Sequence, residues 1–173
     1  MEDMSSANLT SQETAARATA VKVHDVRVEL DVRDAANPDN DGFSTTTTLV
    51  FDASESATWI DFIGESVEHV AVNGVAVPVE YDGARIAVAG LAASNVVVIE
   101  ATGVYSRSGE GLHRFVDPVD GETYLYTQYE PADSRRVMAC FEQPDMKASF
   151  TFVVHAPVDW HVLSNQSVAT ASE

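Results

Sequence analysis

Short runs of alternating apolar and polar residues, separated by turn residues, constrain this chain more than any other feature. Val26, Val28, Leu30 and Val32 alternate with Arg27, Glu29, Asp31 and Arg33, which puts one set on each face of a half-buried strand. A turn cluster over 37–42 follows, then a β-branched run over 44–51. Further strands are predicted over 59–63, 68–72, 75–81, 85–88, 95–104, 124–130, 149–155 and 160–164, with Val96 and Val98 sharing one face. Asn73-Gly74 and Asp82-Gly83 fall between apolar runs, and each predicts a type I′ hairpin turn with φ > 0 at both central residues. Only one helix competes with this pattern. Thr10 and Glu13 fit a capping box ahead of an Ala-rich stretch over 14–20, each side chain able to satisfy an orphan N–H. The fold class is therefore all-β: an antiparallel, multi-sheet, sandwich-like domain with one short N-terminal helix. Residues 1–9 read as a flexible lead and 10–173 as one β domain. With a strand finishing at Ser164 and nothing after it to close the sheet, the expectation is a piece of a longer chain with an unpaired edge.

Charge excludes several function classes. The 173 residues carry 27 acidic and 10 basic side chains, a net charge of −17. Such a surface repels a phosphate backbone or an anionic bilayer, so neither nucleic acid nor membrane is expected as a partner. The start is polar and acidic, without the basic and apolar regions of a signal peptide, and no apolar run nears the roughly 18 residues of a span. A single cysteine, Cys140, closes no internal disulfide. A cytoplasmic location is the resulting expectation.

No self-sufficient active site is legible. His24, His69, His113, His155 and His161 include no pair four residues apart, the spacing that sets two imidazoles on one helix face around zinc. They read as surface or edge-strand residues, with His113 in a Gly- and Asp-rich loop. Cys140 beside Phe141 reads as a small buried hydrophobe and not a nucleophile. The segment 109–150 is the informative one. Gln128 and Glu130 lie two apart at a predicted strand end, so both point to one face. That pair could receive a cationic amine, although composition alone favours a solvated edge pair.

Five motifs then occur in order: Gly111-Leu-His-Arg114, Thr127-Gln-Tyr-Glu130, Asp133-Ser-Arg-Arg136, Cys140-Phe-Glu-Gln-Pro144 and Lys147-Ala-Ser-Phe150. Together they resemble the N-terminal domain of the M1 zinc aminopeptidases, the aminopeptidase N group. That family's pattern runs G-L-(Y/H)-R, T-Q-x-E-x-x-D-A-R-R and P-C-F-D-E-P-x-x-K-A-x-F. Ser134 replaces Ala, Met138-Ala139 replaces Phe-Pro, and Glu142-Gln143 replaces Asp-Glu; these read as loop or packing changes. The G-A-M-E-N and H-E-x-x-H motifs, which in the family belong to the following domain, are missing.

The resemblance implies a substrate-anchoring domain that packs in cis on a zinc catalytic domain and closes one side of its cleft. By the same resemblance Glu130 receives the free α-ammonium of a peptide substrate and Gln128 lines the pocket for the first side chain. Zinc would belong to the full-length enzyme, with no catalytic residue and no metal ligand in this chain, which alone would be inactive. Asp133, Arg135, Arg136 and Lys147 read as structural. The rival readings are a standalone β-sandwich binding module, with Trp59 or Tyr129 as an aromatic platform, and a non-catalytic structural homologue.

Overall fold

A computed structural model describes residues 8–172. The lead expected over 1–9 lies, apart from Asn8 and Leu9, outside the described residues. Helix α1 (Ser11–Ala20) begins on the expected capping box: the Glu13 N–H donates to the Thr10 hydroxyl at 3.2 Å, and the Thr10 N–H donates to the Glu13 carboxylate at 2.8 Å. Ten strands follow: β1 (Val21–Asp31), β2 (Gly42–Ala53), β3 (Ala57–Asp61), β4 (Ser66–Val72), β5 (Val75–Val77), β6 (Arg85–Ala89), β7 (Ser94–Val104), β8 (Gly111–Val116), β9 (Thr123–Gln128) and β10 (Ser149–His155).

Six strands form one sheet in the order β10-β1-β2-β7-β4-β5, while β3–β6 and β8–β9 form two-stranded sheets. The alternation legible in the sequence sets the register. Val28, Thr47, Ile99 and Val70 meet across four adjacent strands, as do Val26, Leu49, Val97 and Val72. These eight face one way and are buried, whereas Arg27, Thr48 and Val98 face the other way. Over the buried face lie Ile60 of β3, Ile86 and Val88 of β6, Phe62, and the segment Val137 to Phe141, all in one core cluster. Phe51 of β2 meets Phe141 edge-on at 5.3 Å. Full burial of each large aliphatic or aromatic side chain stabilises by about 1.5–3 kcal/mol, so this layer contact holds the domain together.

Four details differ from the sequence reading. Strand β10 runs parallel to β1, so the large sheet is mixed. The strand predicted over 75–81 stops at Val77, because Pro78 has no N–H to give a ladder. Asn73 and Gly74 both take positive φ, 52° and 80°, as a type I′ turn requires. At Asp82-Gly83 only Gly83 does, with φ 97°, and the Asp82 carboxylate accepts the Ala84 and Arg85 N–H groups instead. Finally, no strand forms over 160–164. Pro157 and the turn after it bend the chain, Trp160 folds back against the core with its N–H on the Pro157 carbonyl at 3.0 Å, and Leu163 is exposed. Strand β10 is one edge of the six-stranded sheet, with Phe150 and Phe152 stacked and about half exposed; β5 is the other.

Helix α1 is fastened to the β layer by Glu13, whose carboxylate meets the Arg85 guanidinium at 2.7 Å. That contact, with the Thr10 bonds, lowers the Glu13 pKa from 4.5 to about 2. A folded-state pKa below the unfolded value stabilises the fold at pH above 4.5, and the contribution disappears as pH falls through about 2. Glu13→Gln is therefore expected to flatten the acid arm of stability between those limits and to leave the slope above pH 5 unchanged. Urea unfolding across pH 2–6 checks this, and an unchanged acid arm would count against the pairing.

Candidate functional site

The β8–β9 hairpin carries the residues singled out in the sequence. Its pairing sets Gly111 opposite Gln128, His113 opposite Tyr126 and Phe115 opposite Tyr124. These six share one face. The His113 and Tyr126 rings lie 4.7 Å apart, and Phe115, Tyr124 and Tyr126 are each about half exposed. His113 is thus a strand residue stacked on an aromatic ring, not the loop residue expected. The opposite face holds the hairpin down. Leu112 is buried, and the Arg114 guanidinium lies over the Tyr105 ring at 4.7 Å while binding Asp41 at 2.8 Å and the Asn40 carbonyl.

Strand β9 stops at Gln128, two residues earlier than predicted, because the chain turns at Glu130-Pro131. Alternation persists past the strand end: Gln128 and Glu130 are exposed, and Tyr129 between them packs against the core. Burial raises the Tyr129 phenol pKa. The Glu130 N–H donates to the Gln128 side-chain oxygen at 3.3 Å, so the backbone of one residue is tied to the side chain of the other. The nearby cations are engaged elsewhere. Arg136 pairs with Asp133 at 2.8 Å, and Arg135 donates to the Ala132 carbonyl at 3.0 Å. Among the described residues the Glu130 carboxylate enters no ion pair. It is an exposed carboxylate without a protein cation among the described residues, following a hairpin with a half-exposed aromatic face.

The other motifs support this turn. Gly111 takes φ +63°, and a Cβ there would come within 2.8 Å of the Arg136 Cβ. The first and third motifs are therefore packed against each other through the one residue without a side chain. Gly111→Ala is expected to cost at least about 1–2 kcal/mol from the left-handed backbone alone, readable as a lower urea midpoint; an unchanged midpoint would contradict the packing. Cys140 is buried, and burial holds its thiol pKa well above the ordinary value, in keeping with a hydrophobe. Its backbone pairs with that of Asp61, at 2.8 and 3.0 Å. Lys147 is exposed on the rim of a groove with Lys22 and Ser54, and is not a structural anchor.

One buried ion pair escaped the sequence reading. Arg17 and Asp61 form an ion pair at 2.7 Å with both side chains wholly inaccessible to solvent. Gln143 accepts from Arg17 Nε, and the Glu142 N–H donates at 3.0 Å to the same Asp61 oxygen, Oδ2, that Arg17 meets. The signal was present: Asp61 stands inside the apolar run Trp59-Ile-Asp-Phe-Ile63, and a charge there demands a buried partner. Neither proposed platform is open. Two guanidiniums, of Arg17 and Arg85, lie over the Trp59 ring at 4.6 and 5.1 Å, and Tyr129 packs inward.

The family model for the Peptidase M1 N-terminal domain matches residues 20–173. This chain belongs to that family. The M1 domain is 42% identical to aminopeptidase N of Streptomyces lividans over 167 residues, 94% of this chain and 19% of that protein. A probable M1 family aminopeptidase of Encephalitozoon cuniculi is 41% identical over 69 residues, 40% of this chain and 8% of the other. The chain thus spans about a fifth of the length of its Streptomyces relative. Among solved structures, a mutant M1 zinc metallopeptidase of Deinococcus radiodurans bound to a Tyr-Ser-Ala substrate superposes with a TM-score of 0.67, at 21% identity over 89% of this chain and 37% of that one. Native yeast LTA4 hydrolase superposes with a TM-score of 0.68, at 16% identity over 80% of this chain and 23% of that one. At these identities the superpositions establish the shared fold. Among the described residues no group of three or more His, Cys, Asp or Glu side chains is placed to hold a metal ion.

Proposed function

We propose that this domain anchors substrate in a zinc metallo-aminopeptidase that removes N-terminal residues from peptides. Glu130 receives the α-ammonium, and Gln128, held to it through the Glu130 N–H, borders the pocket for the first side chain. The observation that carries this is the exposed Glu130 carboxylate, in no ion pair among the described residues, at the end of a hairpin whose aromatic face is half exposed, with its own backbone N–H bonded to Gln128. An exopeptidase must measure from the chain end. A fixed carboxylate selects a charged terminus over an internal amide, because a charge-assisted hydrogen bond is stronger than a neutral one and leaving it unmade in a desolvated cleft is costly.

The aromatic face of Phe115, Tyr124 and Tyr126 would lie against the parent's catalytic domain, to which the zinc and the general base belong. Relatives named as aminopeptidases support this reading. The net charge of −17 supports cationic peptide termini over nucleic acid or an anionic membrane, and no helix among the described residues is long and apolar enough to cross a bilayer. A cytoplasmic location is supported by the lone, buried Cys140. The test is Glu130→Ala in the parent enzyme, assayed on peptides with free amino termini. Near wild-type kcat/KM would overturn the assignment.

A further inference from the structure

Glu130 stands in a turn that its own strand no longer holds, since β9 ends at Gln128. What fixes the turn is a set of bonds converging on Arg135. The Tyr129 carbonyl accepts from the Asp133 N–H at 2.8 Å, closing a loop around Glu130, Pro131 and Ala132. The Arg135 guanidinium donates to the Ala132 carbonyl at 3.0 Å, the Arg135 carbonyl accepts from the Ile63 N–H at 2.7 Å, and the Arg135 N–H donates to the Glu142 carboxylate at 2.7 Å. Glu142 is itself fixed, its N–H donating to Asp61 at 3.0 Å. A buried chain of contacts therefore runs from the Arg17–Asp61 pair through Glu142 and Arg135 to the carbonyl two residues from Glu130.

We propose that Glu142 is a positioning residue for the amine anchor: by holding the Arg135 N–H, its carboxylate sets where the Glu130 carboxylate stands. This rests on the assignment of Glu130 made above. The bond from Glu142 reaches the Arg135 N–H in the 3-10 turn over Ser134–Arg136, where a side-chain acceptor satisfies an otherwise orphan donor. Glu142 is mostly withdrawn from water, and burial raises its carboxyl pKa against the opposing bond from the Arg135 N–H. Without that acceptor the Arg135 N–H loses its bond to Glu142 and the turn relaxes. A displacement of about 1 Å in a positioning group can cost on the order of a hundredfold in rate.

The test uses the full-length parent enzyme carrying Glu142→Leu, Glu142→Asp or Glu130→Ala. The readout is equilibrium affinity for two hydroxamates, L-leucine hydroxamate and its counterpart lacking only the α-amine, together with kcat/KM on a free-amino peptide. Glu142→Leu is expected to shrink the preference for the amine-bearing compound about tenfold to a hundredfold, with affinity for the des-amino compound unchanged. Glu142→Asp is expected to restore most of the preference. If Glu142→Leu does not fold, Glu142→Ser, too short to reach the Arg135 N–H, carries the same expectation. If Glu130→Ala abolishes the preference and the Glu142 variants keep it, or lose affinity for both compounds equally, the positioning role is overturned and the anchor stands. If Glu130→Ala keeps the preference, the anchor assignment fails.

Discussion

Glu130→Ala in the parent enzyme is expected to lower kcat/KM on free-amino substrates by about 2–5 kcal/mol of transition-state stabilisation, the usual cost of removing one partner of a desolvated, hydrogen-bonded charge pair. That corresponds to a loss of roughly thirtyfold to several thousandfold. The range is wide because the value depends on how completely the cleft excludes water. Glu130→Gln separates charge from shape: it keeps the Gln128-to-Glu130 backbone bond and a neutral acceptor, and its loss should fall between wild type and Ala. Zinc content measured on each variant should be unchanged, since no zinc ligand set exists among the described residues of this domain. Equal activity in all three proteins would remove Glu130 from the mechanism.

The largest stability effect should come from the buried pair. Arg17→Met or Asp61→Leu each strands an uncompensated charge where both partners are fully enclosed, and breaking such a pair costs about 3–5 kcal/mol. Against a total stability of roughly 5–15 kcal/mol, either change brings the domain near its unfolding threshold. The damage is not confined to one contact. Losing Asp61 also frees the Glu142 N–H, and losing Arg17 removes the cation over Trp59 and the donor to Gln143. The double variant Arg17→Met with Asp61→Leu should be more stable than either single variant, because two apolar groups of similar volume leave no orphan charge. Urea midpoints of the four proteins form the cycle. Single variants within about half a kcal/mol of wild type would show that the pair contributes nothing.

The sequence by itself determined the strand layer. The alternation read over 26–33 and the strands read over 44–51 and 95–104 rest on a local property, since side chains at i and i+2 share a face whatever surrounds them. The capping box at Thr10–Glu13 and the Asn73-Gly74 turn were legible for the same reason: each is satisfied within four residues. The pairing of Gln128 with Glu130 followed from the same period of two, and it outlasted the strand that suggested it. Ordered motifs over 111–150 pointed to the family before any coordinate did.

Only the tertiary structure decided what those motifs do to one another. The parallel pairing of β10 with β1 joins residues more than a hundred positions apart, as does the bond from Arg17 to Gln143. No local pattern encodes such a contact; it becomes favourable only when the layers close and water leaves. The strand expected over 160–164 does not form because Pro157 and the turn after it bend the chain and Trp160 turns back onto the core. Glu142 shows the limit most clearly. In the sequence it is a conservative change in a loop, whereas in the fold it receives the Arg135 N–H and donates its own to Asp61. Burial converts an ordinary carboxylate into a fixed support for the turn that presents Glu130, because a desolvated charge must be held by specific partners or not be there at all.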